Sequence, residues 1–247
     1  GLNVLEALST TNIIIAAIII CSAYLVRGIA GFGSGLIAIP LLALMLPLSI
    51  AVPLIVLLDY IASASHGVKH REAICWRDIL PLLPFSIVGV LMALYLFNSV
   101  DAQVLRYGLG IFLLLFAVYS LFSITPNAAP SLLWAAPGGT LGGFIGTLFG
   151  TGGPFYVLYL KLRGLNKTEF RATFATIFLI DGIGRLIGYM ATGFFDLALL
   201  KVVAVAVPLM AIGMYIGGQI HSNLSQETFQ RGISILLIVS GISLLLK

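Results

Sequence analysis

The stretch RGIAGFGSGLIAIPLL, residues 27–42, breaks an apolar run with the glycine-rich pentapeptide GFGSG at 31–35 and then resumes as an apolar segment. A membrane interior has no water to satisfy backbone N–H and C=O groups. A non-helical glycine run at bilayer depth therefore persists only where protein buries it or a water-filled cavity receives it. A second stretch, GTLFGTGGPFYVLYL at 146–160, carries GTGGP at 150–154 and occupies the same place in the other half of the chain. The pair implies a cavity, and with it traffic across a membrane.

The rest of the chain fits that setting. Of its 247 residues 60% are hydrophobic and only 9% charged, with a mean hydropathy of +1.12; soluble domains carry roughly a quarter charged residues. This is the composition of an all-α polytopic membrane protein. The net charge of +4 does not point to nucleic acid, because the 13 Lys and Arg are scattered through short connections and form no stripe. Cys21 lies inside an apolar span and Cys75 in a polar connection, with no CxxC between them, so no disulfide, metal or cofactor is expected. Residues 1–10 read as a short amphipathic lead-in. Glu6 precedes the first apolar stretch and no Lys or Arg occurs before Arg27, so the basic n-region of a cleavable signal peptide is not expected.

At about 20 apolar residues per crossing, the chain divides into ten apolar segments in two sets of five. The first set is 11–26, 34–46, 50–65, 79–97 and 104–124. A neutral connection at 125–131, bearing Pro126 and Pro130, leads to 132–149, 154–162, 170–190, 197–220 and 229–246. The second segment of each set is short and follows the glycine break, as expected of a broken or re-entrant helix that starts inside the membrane. The two sets also match in order: Gly31 with Gly150, Gly33 with Gly152, Asp59 with Asp181, Pro84 with Pro208, Gly89 with Gly213 and Arg106 with Arg231. A duplication explains these matches, giving one transmembrane transport domain with repeat one at 11–124 and repeat two at 132–247.

Lys and Arg in short connections report orientation. Lys69, Arg71 and Arg77 mark the connection at 67–78, and Lys161, Arg163, Lys167 and Arg171 mark that at 161–171. Both fall on one side, read as cytoplasmic, if the two repeats are inverted; a parallel repeat would push one outside. Inverted repeats with discontinuous helices recur in secondary transporters, whose substrate sites lie near the midplane at the repeat interface.

A helix that begins after Gly33 or Gly152 presents free N–H groups and the positive end of its dipole, which suits an anion. The candidate substrate-binding residues are therefore Gly31, Phe32, Gly33, Ser34 and Gly35 at the first break, and Gly150, Thr151, Gly152 and Gly153 at the second. Gly138, Gly139, Gly142, Gly143 and Gly146 form a small-residue ladder that reads as a packing face. Ionisable residues within spans are costly and hence functional candidates. Here they are Asp59, Asp181 and Arg185, with Arg27 at the lip of the first break. Asp181 and Arg185 stand four apart on one helix face and can neutralise each other. Asp59 can pair with Arg27 or Arg185, or carry a coupling proton or other ion. His66 reads as interfacial, and His70 and His221 as solvated. Tyr60, Ser63, Tyr156, Tyr159, Thr173 and Thr176 are candidates to line a polar path.

The segment 27–42, its partner 146–160 and the two-half layout resemble the sulfite exporter TauE/SafE family of membrane permeases, over nearly the whole chain. The resemblance implies transport of a small sulfur-containing anion, such as sulfite, thiosulfate or an organosulfonate, across the inner membrane of a prokaryotic cell, with the lipid bilayer as the protein's setting. The family pattern reads like GIGGG followed by apolar residues and proline; here Ser34 interrupts the first copy and Pro154 ends the second. The expected function is a secondary transporter that holds its anion at the midplane between two glycine-rich helix N-termini. A gated anion channel and a permease for a non-sulfur organic anion are the alternatives. An enzyme is not expected. The FGSG of 32–35 lacks the leading glycine of an intramembrane serine-protease GxSG motif, and no mid-span His stands ready as its base. Nor is there a GxxxxGK[ST] signature for an ATP-driven pump.

Overall fold

The computed structural model describes residues 9–30, 33–122, 130–220 and 226–246. Most of the expected lead-in at 1–10, Gly31 and Phe32 of the first break, most of the 125–131 connection and His221 lie outside these residues.

Among the described residues the chain is helical. The helices are α1 (Thr10–Ala30), α2 (Ser34–Leu42), α3 (Leu48–His66), α4 (Trp76–Ile79), α5 (Leu82–Ser99), α6 (Ala102–Phe122), α7 (Ala135–Phe149), α8 (Gly153–Leu162), α9 (Lys167–Ala191), α10 (Leu197–Gln219) and α11 (Gln226–Leu246). Short 3-10 turns at Arg71–Ala73 and Leu132–Trp134 precede α4 and α7. Among the described residues, seven spans are long and apolar enough to cross a membrane: α1, α3, α4 with α5, α6, α7 with its leading turn, α9 and α10. Each expected segment corresponds to a helix, with ends displaced by a few residues. The first segment, expected to end at 26, runs on as helix to Ala30, and the first short segment, expected to reach 46, ends as helix at Leu42 and closes in a turn through residues 43–45. Ala43 to Leu46 still donate their N–H groups backwards within that turn.

Local chemistry explains several ends. Asn166 and Glu169 form a capping box at the start of α9: Asn166 Oδ1 accepts from Glu169 N at 2.9 Å and Glu169 Oε1 accepts from Asn166 N at 3.1 Å. Asp196 Oδ1 accepts from Leu199 N at 2.8 Å to cap α10. These contacts satisfy N–H groups that a helix start leaves without a partner.

The chain forms two compact units. One comprises Gly1–Leu58, Val100–Thr125 and Phe194–Lys247, the other Asp59–Ser99 and Pro126–Gly193. They do not coincide with the two sequence halves, since each takes helices from both. In the first unit α1 packs on α10, and α11 on α6 and α2. In the second, α5 packs on α7 and α9, and α8 packs on α7 and α9. A cluster of Ile79, Leu82, Ala135, Tyr156, Tyr159, Leu160 and Ile177 forms an apolar core of this second unit.

Helix partners in the two units correspond through the sequence matches. A Cβ at Gly89 on α5 would stand 2.3 Å from Thr140 O and 2.6 Å from Phe144 N of α7. At its match, Gly213 on α10, a Cβ would stand 2.8 Å from Cys21 O and 3.2 Å from Leu25 N of α1. Cys21 and Leu25 are displaced from Thr140 and Phe144 by the same interval as Gly31 from Gly150. Glycine at both places lets two helix backbones touch. α6 and α11, the matched fifth segments, pack antiparallel: Gly110 lies against Leu245, Leu114 against Gly241, and Ser120 Oγ accepts from Ser234 Oγ at 3.2 Å.

Candidate functional site

Each unit holds one glycine break, so each is described by itself. In the first, α1 ends at Ala30 and α2 begins at Ser34, with Gly33 as its N-cap at φ 99°. That left-handed conformation strains any residue with a Cβ, although a Cβ there would meet nothing within 4 Å. Gly33 is thus required by its backbone angle and not by crowding. Ser34 is buried, with 2% exposure, and its Oγ accepts from Arg27 Nη1 at 3.3 Å. Gly35 is buried in the first turn of α2, and Pro40 lies inside that helix without terminating it. Elsewhere in this unit, a cavity of about 230 Å³ opens between residues 43–48 and the start of α6, lined in part by Gln103 and Arg106.

The second break is built differently. Gly150 closes α7 in the left-handed region at φ 72°, while Gly152, the N-cap of α8, has an ordinary φ of −77°. What Gly152 requires is space, since a Cβ there would fall 2.3 Å from Gly142 O and 3.0 Å from Gly146 Cα. The glycine ladder of α7 makes this approach possible. Gly139 and Gly143 face the backbone of α5 at Leu82 and Ser86, Gly138 and Gly142 face Tyr159 and Tyr156 of α8, and Gly146 faces Gly152 itself. The ladder is a packing face that serves two neighbouring helices and the break. Gly153 opens α8, with Pro154 in its first turn where the missing N–H costs nothing.

Polar groups collect around this second break. Arg185 on α9 donates from Nη1 to Gly146 O at 3.0 Å, and Tyr189 donates to Thr147 O at 2.6 Å. Arg185 Nε lies 3.1 Å from Asp181 Oδ2, so the pair expected from the i, i+4 spacing forms. Tyr156 OH and Ser86 Oγ are 3.1 Å apart in the interior. The hydroxyls of Thr147 and Thr151 are buried and have no hydrogen-bond partner. A buried hydroxyl without a partner forfeits roughly 1–3 kcal/mol, so two of them beside a helix start form an arrangement suited to an acceptor from outside the protein. Asp59, in the same unit, is buried with 8% exposure.

Other expected residues serve the framework. Tyr60 packs against Gly182, and Thr176 donates to Ala172 O of its own helix at 2.7 Å. Thr173 Oγ1 accepts from Cys75 N at 3.0 Å, and Tyr159 donates to Asp78 O at 2.6 Å. Arg163 Nε meets Asp78 Oδ1 at 2.5 Å, with 14% and 7% side-chain exposure. These bonds tie the 67–78 connection to the 161–171 connection, bringing the two basic stretches to one end of this unit. Sequence reasoning counted Arg163 only as a loop charge and missed Asp78, Ser86, Thr147 and Tyr189. The i+4 spacing of Arg185 and Tyr189 was the one available signal, placing Tyr189 on the face of the buried pair.

The description "Sulfite exporter TauE/SafE" matches residues 15–244 of the chain. The probable inner membrane transporter protein TsaS of Comamonas testosteroni is 28% identical over 193 residues, covering 77% of this chain and 81% of that protein. The probable sulfite/organosulfonate exporter TauE of Cupriavidus necator is 27% identical over 232 residues, 88% of each chain. No solved structure matches the chain significantly. With its helical architecture, seven membrane-length spans and a match running from α1 to α11, the chain belongs to the sulfite exporter TauE/SafE family of membrane transporters.

Proposed function

We propose that this protein is a secondary transporter of the inner membrane that moves a small sulfur-containing anion, such as sulfite, thiosulfate or an organosulfonate, and that the second break, at the start of α8, supplies donors that hold it. The observation that carries this reading is the second break, where two buried Thr hydroxyls without partners, one in the last turn of α7 and one just before α8, stand beside the start of α8. The sulfur class comes from the family and from the Cupriavidus necator relative, a probable sulfite/organosulfonate exporter. Small oxyanions suit the geometry, because glycine backbones and hydroxyls offer short donors.

The same proposal includes two inverted repeats. Three observations support inversion: the matched helices α6 and α11 run antiparallel, the matched contacts of Gly89 and Gly213 exchange partners between halves, and the two basic connections meet at one end of the second unit. By the excess of Lys and Arg, that end is the cytoplasmic one. Transport then proceeds by alternating access around the breaks. The test is flux in proteoliposomes, with sulfite, thiosulfate, sulfate, taurine, sulfoacetate and chloride as the panel. Saturable uptake selective for one sulfur anion is the expected result. Unitary currents, or chloride flux alone, would replace the transporter with a channel.

A further inference from the structure

Arg106 stands in the second turn of α6, within a membrane-length span, where an ionisable side chain is costly and marks a functional place. Its Nη2 donates to Gln103 Oε1 on the same helix face, and among the described residues no carboxylate pairs with it. Its Nε is buried and has no hydrogen-bond partner. An arginine near the end of a span ordinarily extends its head to water. Here the inner donor is cut off from water and from protein acceptors alike, and a buried donor costs more to leave unbonded when its group is charged. Arg106 and Gln103 form the polar wall of the cavity of about 230 Å³ in the first unit, opposite the apolar residues 43–48. Ala102, the first residue of α6, also lines it, so the positive end of that helix's dipole lies at the wall. Asp101, just before α6, is exposed and outside the wall. Arg106 is therefore the one charged side chain lining this cavity among the described residues. The volume is many times the ~30 Å³ of a single water and below the roughly 300 Å³ at which drug-sized sites begin.

We infer that this cavity is a separate anion site that takes a small, singly charged organic oxyanion, its oxygens on Arg106 and its organic body against residues 43–48. A guanidinium engages tetrahedral oxygens with two N–H groups at once, and the bond to Gln103 steadies the Arg106 side chain for that contact. One cation suits one negative charge. A doubly charged ion would bring an uncompensated charge into a partly buried place, and a bare halide would leave the apolar wall uncovered. Two sources carry the required group: a short alkanesulfonate, and the phosphodiester headgroup of an anionic lipid. The site is built wholly within the first unit and takes nothing from the second break. Nor is it repeated at the sequence match of Arg106, because Arg231 on α11 is exposed.

The experiment is calorimetric titration of the purified full chain in a neutral detergent at pH 7 with two probes, propanesulfonate and dihexanoyl phosphatidylglycerol below its micelle concentration. Both carry a single negative charge. The chain carries T151V as background, so that binding at the second break does not contribute. T151V is expected to bind at least one probe, and T151V/R106Q to bind it about tenfold or more weakly, as loss of a hydrogen-bonded charge predicts. T151V/M45W, which keeps the cation and fills the cavity, should lose binding to a similar degree, whereas T151V/R231Q should bind as T151V does. Binding of propanesulfonate but not of the lipid makes the ligand a soluble sulfonate; the reverse makes it a lipid headgroup. Binding of neither probe by T151V overturns the site. So does unchanged affinity in folded T151V/R106Q or, should that variant not fold, in T151V/M45W. The second break is judged separately, by sulfite and thiosulfate on the wild type, and stands or falls without this cavity.

Discussion

The two glycine breaks share the Gly-x-Gly spacing of 31–33 and 150–152 and need their glycines for different reasons. At the first, Gly33 holds a left-handed angle in open space, and Arg27 reaches the helix start from the end of the preceding helix. At the second, Gly152 has an ordinary angle in a crowded place, and the arginine arrives from α9, already facing a carboxylate. The first break spends its serine hydroxyl on Arg27, while the second leaves two threonine hydroxyls without partners. A repeated motif therefore does not imply a repeated role. The first is a backbone turn with its donor side chains already bonded. The second is a close-packed start with unused donors, and it is the better place for an anion to gain from binding.

This contrast makes graded predictions. Gly152→Ala should be the most damaging change, because its Cβ would meet a backbone carbonyl at 2.3 Å that cannot move without separating α7 from α8; overpacking of this kind costs roughly 1–3 kcal/mol or more. Gly33→Ala meets nothing and should cost only the strain of its angle, about 1–2 kcal/mol. Thermal unfolding of the two variants in the same detergent checks the order, and a larger loss at Gly33 would break the comparison. A valine at Gly152 is consequently a poor probe of ligand binding, since loss of fold would mask it.

A second pair sharpens the contrast within the packing. Gly89→Ala and Gly213→Ala occupy matched positions, but the nearest carbonyl stands at 2.3 Å for the first and 2.8 Å for the second. Both should destabilise, Gly89→Ala more, and the difference is readable by the same melts. Smaller still is the expected effect of Thr151→Val on stability. Removing a buried hydroxyl that has no partner relieves a cost, so the variant should melt at the wild-type temperature or slightly above it. Ser34→Ala should melt below it, because it deprives Arg27 of an acceptor.

The smallest effect lies at the basic end of the second unit. Burial pushes the Cys75 thiol above its usual range, helped by the nearby Glu169 carboxylate, while Thr173 pulls the other way. A raised thiol stays protonated at neutral pH, and only the thiolate reacts. Maleimide labelling at Cys75 should therefore be slow at pH 7 and accelerate as pH rises beyond the ordinary thiol range; rapid labelling at pH 7 would show that this end is open.

Much of the fold was legible because it rests on local properties. Apolar runs and the two glycine interruptions each mark a helix or its end without reference to neighbours, and the i, i+4 spacing of Asp181 and Arg185 places them on one face. What was not legible depends on distant segments meeting. Ser86 gains meaning only from Tyr156, seventy positions away, and Thr147 only from what fails to bond it. Asp78 gains meaning only from Arg163, which meets it from the other connection. The different reasons for glycine at 33 and 152 are likewise invisible in sequence, since both read as G within a G-rich run. Tertiary approach decides one, and a dihedral angle the other.

The most direct test of the central claim, that the second break binds the transported anion, is thermal stabilisation of the wild type and Thr151→Val by sulfite and thiosulfate, since a ligand of the folded state must raise apparent stability. The account predicts that the wild type gains stability with one of these anions, and that Thr151→Val, folded and melting normally without ligand, loses most of that gain. An undiminished gain in Thr151→Val would contradict it.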